Sequence, residues 1–308
     1  MNIIGKRLYL YIFSCLLMVV SIMAIMTWGV KPGTDYTGGT LLEISLNKSI
    51  DAKVVKESLK DMDLPELSVT GTSNKTVQIK TSQTDTKIIK EVTPTLRQNL
   101  TANKEQGITA VHLLQSQTIG PTVGKDLTKR AIIAVIIAII TIALYIAWSF
   151  RRVQKPFSSW SMSIATIIAL AHDVVITLGF VSIINHIYGF EANSYLLVAI
   201  ITVLGFSMHD TIVVFDRVRE NILHTHKQEP VSKTVNDSVN QTIARSINTS
   251  MTAILVLLAL AIIGGGPIRP FVLTLLMGIA IGTYSSIFVA SPVLVTWVHM
   301  RQKRGEEA

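Results

Sequence analysis

The sequence predicts a polytopic α-helical membrane protein with six transmembrane helices and one small α+β domain set between the first and second of them. Three observations predict it: a surplus of apolar residues, their bunching into runs, and a single polar stretch in which strand and helix periodicities alternate. Apolar residues make up 49% of the 308 and charged residues 16%, too few charges to cover a soluble protein of this size. A hydrocarbon core is crossed by about 20 apolar residues. Runs of this kind occupy 8–28, 130–150, 161–184, 194–215, 247–263 and 271–298. The first reads as an anchor, because its apolar stretch is long for a leader and no small-x-small site stands out before Lys31.

Orientation follows from the basic residues. With residues 1–7 in the cytoplasm, that side holds Lys6, Arg7, Arg151, Arg152, Lys155, Arg217, Arg219, Lys227, Lys233, Arg245, Arg301, Lys303 and Arg304. The two short loops on the far side hold Arg269 alone. Long loops cross largely regardless of charge, so the basic residues of 29–129 do not count. Both termini, including the tail 299–308, are therefore predicted to be cytoplasmic and 29–129 to lie outside. The net charge of +8 is accounted for by this bias and calls for no nucleic-acid partner. The single cysteine, Cys15, lies in the first span and rules out an intrachain disulfide.

The outer domain alternates as a strand over 40–46, carries helical spacing over 49–61 at Val54, Val55, Leu59 and Met62, and gives two short strands at 67–70 and 76–81 across a Ser73-Asn74 turn. A second helix fits 85–100, with Ile88, Ile89, Val92 and Leu96 on one face, and 110–119 closes as a strand. The order βαββαβ is that of the split βαβ, ferredoxin-like arrangement, with helices on one sheet face and the other free for contacts. Two glycine motifs flank the domain. Asp35, Gly38 and Gly39 precede it, and Gly120 and Pro121 follow it. The first lacks the following helix and the Lys of a phosphate loop, so both read as mechanical hinges where the backbone turns or approaches closely.

The polar constellation lies in the membrane. Asp210 is an ionisable group in an otherwise apolar run, which costs about 3 kcal/mol or more and by default marks a proton, ion or substrate path. On a helix, Thr166 and Thr177 fall within roughly 40° of Asp173. In the fourth span Thr202, Gly205, His209 and Asp216 share one arc, while Asp210 projects about 100° away with Ser207 beside it. Such a helix has to be enclosed by protein. Arg245, at the head of the fifth span, is a candidate partner for Asp210, which lies about 8 Å from the cytoplasmic end of the fourth. Bland readings stand beside these: a hydrogen-bonded structural acid for Asp210 or Asp173, an interfacial charge cluster for Asp216, Arg217 and Arg219, and a topological anchor for Arg245. His172 and His209 each precede an Asp, but neighbours on a helix diverge by about 100° and do not share a metal site easily, so no metal is expected. Between the fourth and fifth spans, 216–246, Val231, Val235, Val239, Ile243 and Ile247 recur every four residues. That spacing predicts an amphipathic helix lying on the membrane surface.

The motifs at 35–39 (DYTGG), 172–179 (HDVVITLG), 205–221 (GFSMHDTIVVFDRVREN) and 245–250 (RSINTS) resemble those of the SecD/SecF family, and specifically its SecF branch, bacterial protein-translocase subunits related to the RND transporters. The resemblance covers the whole chain. One departure is His209, where the family commonly has Asn. The resemblance implies an RND-like half that pairs with SecD in the bacterial inner membrane, with a periplasmic domain touching preprotein as it leaves SecYEG, and with YajC as a further candidate partner. It implies no enzymatic activity and no cofactor beyond protons as the coupling ion. It assigns Asp210 as the essential acid and Arg245 as the basic residue that modulates it, with Asp173 as a further proton-coupling candidate.

Two other function classes fit parts of the pattern. An RND-like exporter of small molecules or lipids would use the same acid, but normally contains both halves and bulky outer domains. An intramembrane aspartyl protease needs paired carboxylates, as Asp173 and Asp210 superficially provide, yet its Gly-x-Gly-Asp signature is absent: Ser207, Met208 and His209 precede Asp210.

Overall fold

The computed structural model describes every residue except 74, 86, 103–107, 154, 225–228, 265–267 and 304–308. Asn74 of the predicted turn, and Lys227 and Arg304 of the basic set, lie outside the described residues. The chain opens with a 3₁₀ turn (Ile4–Lys6) that runs into α1 (Arg7–Trp28). A one-turn α2 (Thr34–Thr37) leads to β1 (Gly39–Leu46), α3 (Ala52–Glu57), β2 (Ser68–Ser73), β3 (Thr76–Thr81), α4 (Lys87–Ala102) and β4 (Val111–Ile119). Then follow α5 (Pro121–Ser149), α6 (Ser159–Tyr188), α7 (Ser194–His224), α8 (Val231–Ile263) and α9 (Arg269–Ser285). A π-helical segment (Ser286–Ala290) joins α9 to α10 (Ser291–Lys303).

The outer domain has the predicted βαββαβ order. Its strands line up β2-β3-β1-β4, each antiparallel to its neighbours, which is the ferredoxin-like sheet. Alternation along β1 and β3 sends Leu42, Ile44, Leu46, Val77 and Ile79 to the helix side, where they bury against Val55, Leu59, Ile88, Val92 and Leu96. The regular part of α3 is shorter than predicted. Asp51 caps its start by accepting from Lys53 N at 2.9 Å, and beyond Glu57 the chain continues in loose turns such as Met62 N to Leu59 O at 3.1 Å. The apolar spacing therefore outlasts the helix.

Six helices are long and apolar enough to cross a membrane: α1, α5, α6, α7, α8 and the composite α9–α10. Three boundaries differ from those read in the sequence. α5 begins nearly ten residues before the apolar run, one glycine after β4, so that the helix starts where the sheet ends rather than where hydropathy changes. The sixth span is interrupted by the π segment. The expected surface-lying helix at 231–247 is corrected: Val231–Ile263 is one helix of 33 residues, about 50 Å long, and 231–246 is the polar first part of the same helix as the fifth span. Its apolar stripe buries Val235 and Val239 against Ile3, Ile4, Val218, Val295 and Val298, which makes it part of the core at the end where the termini meet.

Close helix approach depends on small residues, as it must where lipid removes the hydrophobic incentive to associate. On α9, Gly278 and Gly282 face α7: a Cβ on Gly278 would collide with Val203, and one on Gly282 would sit 2.9 Å from Ser207 Cβ. Gly179 on α6 lies against Ser21 of α1. Next to this contact, Ser182 Oγ donates to Ala24 O at 2.9 Å and to Gly29 O at 2.6 Å, where α1 ends.

The two glycine motifs, predicted as separate hinges, form one packed junction. A Cβ on Gly38 would lie 2.8 Å from Pro121 Cα, and one on Gly124 2.7 Å from Tyr36 O; Gly38 and Gly39 also have φ of +79° and +118°, which disfavours any side chain. The segment after α1 is docked on the α6–α7 connection. Gly33 N donates to Ala192 O at 2.6 Å, Ala192 N to Lys31 O at 2.8 Å, and Ser194 N, at the start of α7, to Asp35 Oδ2 at 2.6 Å. Lys80 on β3 pairs with Glu191 at 2.9 Å. The sheet face expected to be free is thus partly closed: Leu41, Glu43, Gln78, Lys80, Gln115 and Gln117 look onto this connection across a cleft of about 320 Å³. Burial there pushes the Glu43 carboxyl above its ordinary value.

A Gly282→Leu change should force α7 and α9 apart and destabilise the chain by about 1–3 kcal/mol, read as a lower unfolding midpoint in detergent. Gly205→Leu, where an added Cβ meets nothing within 4 Å, should leave that midpoint unchanged.

Candidate functional site

Two buried carboxylates organise the membrane core. Asp173 on α6 is fully buried and accepts three hydrogen bonds. Ser207 Oγ on α7 donates to Oδ2 at 2.6 Å, Ser285 Oγ on α9 to the same oxygen at 2.7 Å, and His172 Nδ1 lies 3.0 Å from Oδ1. A buried carboxylate is tolerable only when its lone pairs are met, and three donors from three helices meet them. Interhelical hydrogen bonds between spans add modest stability each. Their larger effect is geometric, fixing the rotation of α6, α7 and α9 about one point.

Asp210 on α7 is equally buried and differently served. Its Oδ2 accepts from Ser250 Oγ on α8 at 3.3 Å, and Ser250 in turn accepts from Thr283 Oγ1 on α9. Ser207, expected beside Asp210, belongs to Asp173 instead: on α7 the two side chains diverge toward different neighbours. The carboxylates share no hydrogen bond and are met by different hydroxyls, so the paired-acid geometry of an aspartyl protease is not formed. Thr166 and Thr177 are buried on α6 as their spacing requires. Thr166 Oγ1 bonds back to Met162 O at 2.9 Å, and Thr177 Oγ1 has no hydrogen-bond partner, so neither joins Asp173.

The polar arc of α7 faces outward. Thr202, Gly205, His209 and Asp216 are all exposed, and the adjacent face of α8 exposes Arg245, Asn248, Thr249 and Thr252. Arg245 is not paired with Asp210: it lines a shallow pocket with Val213, Asp216, Arg217 and Glu220 near the end that carries the termini. In that region Asp216 pairs with Arg219 at 2.8 Å, and Arg217 with Glu220 and Gln241. The expected Asp210–Arg245 contact fails because Arg245 and Ser250 lie on different faces of α8, and the hydroxyl face is the one turned to α7. His172 is buried and His209 exposed, so the two histidines are not brought together. Among the described residues no group of three or more His, Cys, Asp or Glu is placed to hold a metal. The hydroxyls of Ser250, Thr283 and Ser285 were not singled out as site residues from sequence. The run 283–286 (TYSS) inside the sixth span was the available signal.

The family model described as protein export membrane protein SecD/SecF, C-terminal, matches residues 98–300. A protein translocase subunit SecF of Anaerolinea thermophila is 35% identical over 304 residues, covering 96% of this chain and 94% of that relative. The subunit of the same description from Thermobaculum terrenum is 38% identical over 303 residues, covering 96% and 93%. Among solved structures, the crystal structure of SecDF, a translocon-associated membrane protein, from Thermus thermophilus superposes with a TM-score of 0.83 at 30% identity, over 96% of this chain and 38% of that one. The chain thus spans well under half of that SecDF polypeptide and nearly all of its SecF relatives. Its six apolar helices, ferredoxin-like insert and full-length similarity make it a multi-pass membrane protein of protein translocation, and it belongs to the SecD/SecF protein-export family.

Proposed function

We propose that the chain is the SecF half of a SecD–SecF motor that uses the proton-motive force to promote the late, ATP-independent stage of preprotein export through SecYEG. In this reading it lies in the inner membrane with both termini cytoplasmic and the sheet domain periplasmic. The observation that carries it is the contrast between the two buried acids. Asp173 is held by three donors within 3.0 Å, whereas Asp210 is met more loosely, by Ser250 at 3.3 Å and by the Thr283 hydroxyl that Ser250 shares. A proton can be added to Asp210 at the loss of little bonding, and its charge acts on the contacts of α7 with α8 and α9.

The path to the outer domain is short: one helix, one hydrogen bond and one ion pair. α7 runs from Ser194, whose N–H is held by Asp35, to Asp210, about 24 Å along one helix. A shift of α7 therefore moves the Asp35 contact, the Lys80–Glu191 pair and with them the sheet. A charge moved through 100 mV supplies about 2.3 kcal/mol, enough to bias two packings of α7 more than tenfold.

A partner half is supported by the exposed polar face. Thr202, Gly205 and His209 on α7, and Asn248, Thr249 and Thr252 on α8, lie among exposed apolar side chains such as Val198, Ile201, Ile247, Met251 and Leu255. The threonine hydroxyls bond back to their own helices, but hydrocarbon offers the His209 ring and the Asn248 amide no partner, and a second membrane half of like build covers them. A SecDF relative carrying both names in one polypeptide points to SecD.

Asp210→Asn should insert normally and co-purify with SecD, while preprotein export into membrane vesicles falls to the rate seen once the gradient is dissipated; export that still responds fully to the gradient would overturn the role of Asp210. In a Cys15→Ser background, Cys at Gly205 or Thr249 should crosslink to SecD, and Cys at Ile136 on the apolar face of α5 should not. Equal crosslinking at all three positions would remove the proposed interface.

A further inference from the structure

His172 is a buried titratable group in the membrane core that the coupling by Asp210 leaves unused. It is 3% exposed. Its Nδ1 is committed to Asp173 Oδ1 at 3.0 Å, while its Nε2 is buried without a hydrogen-bond partner. The commitment fixes the tautomer: facing a carboxylate oxygen, Nδ1 carries the hydrogen and donates it, which leaves Nε2 as a bare lone pair. Three of the roughly four lone-pair sites of Asp173 are taken by Ser207, Ser285 and His172. A proton reaching this cluster finds an open acceptor at Nε2 and a crowded one at the carboxylate.

Burial opposes a charge on the ring, and two neighbours, the Asp173 carboxyl and the Tyr284 ring, offset it. From α9 the Tyr284 ring stacks on the imidazole, with centroids 6.2 Å apart and planes inclined by 27°, and an aromatic face attracts positive charge. The Tyr284 hydroxyl meets Ser14 Oγ of α1 at 3.0 Å. The titratable groups facing the imidazole are thus Asp173 on its own helix and Tyr284 from α9; α1 contributes the Ser14 hydroxyl beyond Tyr284, and α7 contributes Ser207 through Asp173.

Resting on the proton-coupled reading above, we propose that His172 is a second protonation site, in which a proton adds to the Nε2 lone pair and turns a singly negative His–Asp cluster into a neutral imidazolium–carboxylate pair. The balance is simple: one proton is taken up, one N–H bond forms, and the Nδ1–H bond to Asp173 is kept. Because Ser207 and Ser285 tie Asp173 to α7 and α9, this change weakens or strengthens the same helix contacts that Asp210 acts on from the α8 side. α6 and α7 then each carry a proton acceptor, and α9 touches both.

Nitrogen-15 NMR of the histidine-labelled full chain in lipid nanodiscs tests this, the His172 signal being the one of seven histidines that vanishes in His172→Gln. The signal should pass from the neutral Nδ1–H pattern to the imidazolium pattern as pH falls from about 8 to about 5, and should do so equally in Asp210→Asn. A signal that stays neutral, or stays imidazolium, across the whole range overturns the proposal and leaves His172 a positioning residue for Asp173. Titration of His172 together with export that remains gradient-responsive in Asp210→Asn would sink the motor reading while sparing the site. Loss of gradient response with a silent His172 would do the reverse.

Discussion

The contact between α7 and α9 is the constraint on which the membrane core depends. Gly278 and Gly282 remove the side chains that would hold the helices apart, and only at that separation do Ser207 and Ser285 reach the same oxygen of Asp173. The carboxylate in turn fixes α6, and α6 carries α1 through Gly179 and Ser182. Four helices are positioned by three glycines, one acid and the serines that meet it, together with close apolar packing such as Ala199 and Val203 against Leu275, because in lipid close packing and interhelical hydrogen bonds, rather than transfer from water, hold helices together.

The same small-residue logic ties the membrane to the outer domain. Gly38, Gly39 and Gly124 let two chain segments cross where bulkier residues would collide, and Gly33 admits the carbonyl of Ala192. The result is a stiff coupling rather than a pair of loose hinges. Backbone hydrogen bonds and one partly buried ion pair connect the start of α7 to the sheet, so displacement of α7 has a direct mechanical outlet. The π-helical segment directly after Ser285 lies where α9 leaves the acid clusters. Such segments break the helical register and recur at functional sites; here it changes the facing of α10 relative to α9.

Much of this was legible from residues alone. Hydropathy found all six spans, and period-2 and period-3.6 spacing found the βαββαβ order and the buried residues Val55, Leu59, Ile88, Val92 and Leu96. Asp173 and Asp210 announced themselves as charges in apolar runs. Less legible were helix ends, since hydropathy reports the lipid boundary while hydrogen bonding continues past it in α5, α7 and α8. Thr283 and Ser285 were not legible, and Ser250 only as the end of the 245–250 motif, because a hydroxyl bonded to its own backbone is unremarkable in a span, and its second role exists only when another helix brings an acceptor to it.

By itself the sequence determined the class of protein, the number of spans, the fold of the insert and the identity of the two costly acids, because each follows from local periodicity or from the price of charge in lipid. Tertiary structure alone decided which hydroxyl serves which acid, that Arg245 stands apart from Asp210, that the glycine motifs close on each other, and that the polar arc of α7 is left outward for a partner. Those outcomes depend on how helices are rotated and spaced against one another. Rotation about a helix axis leaves every local pattern unchanged, so no reading of one segment at a time can fix it.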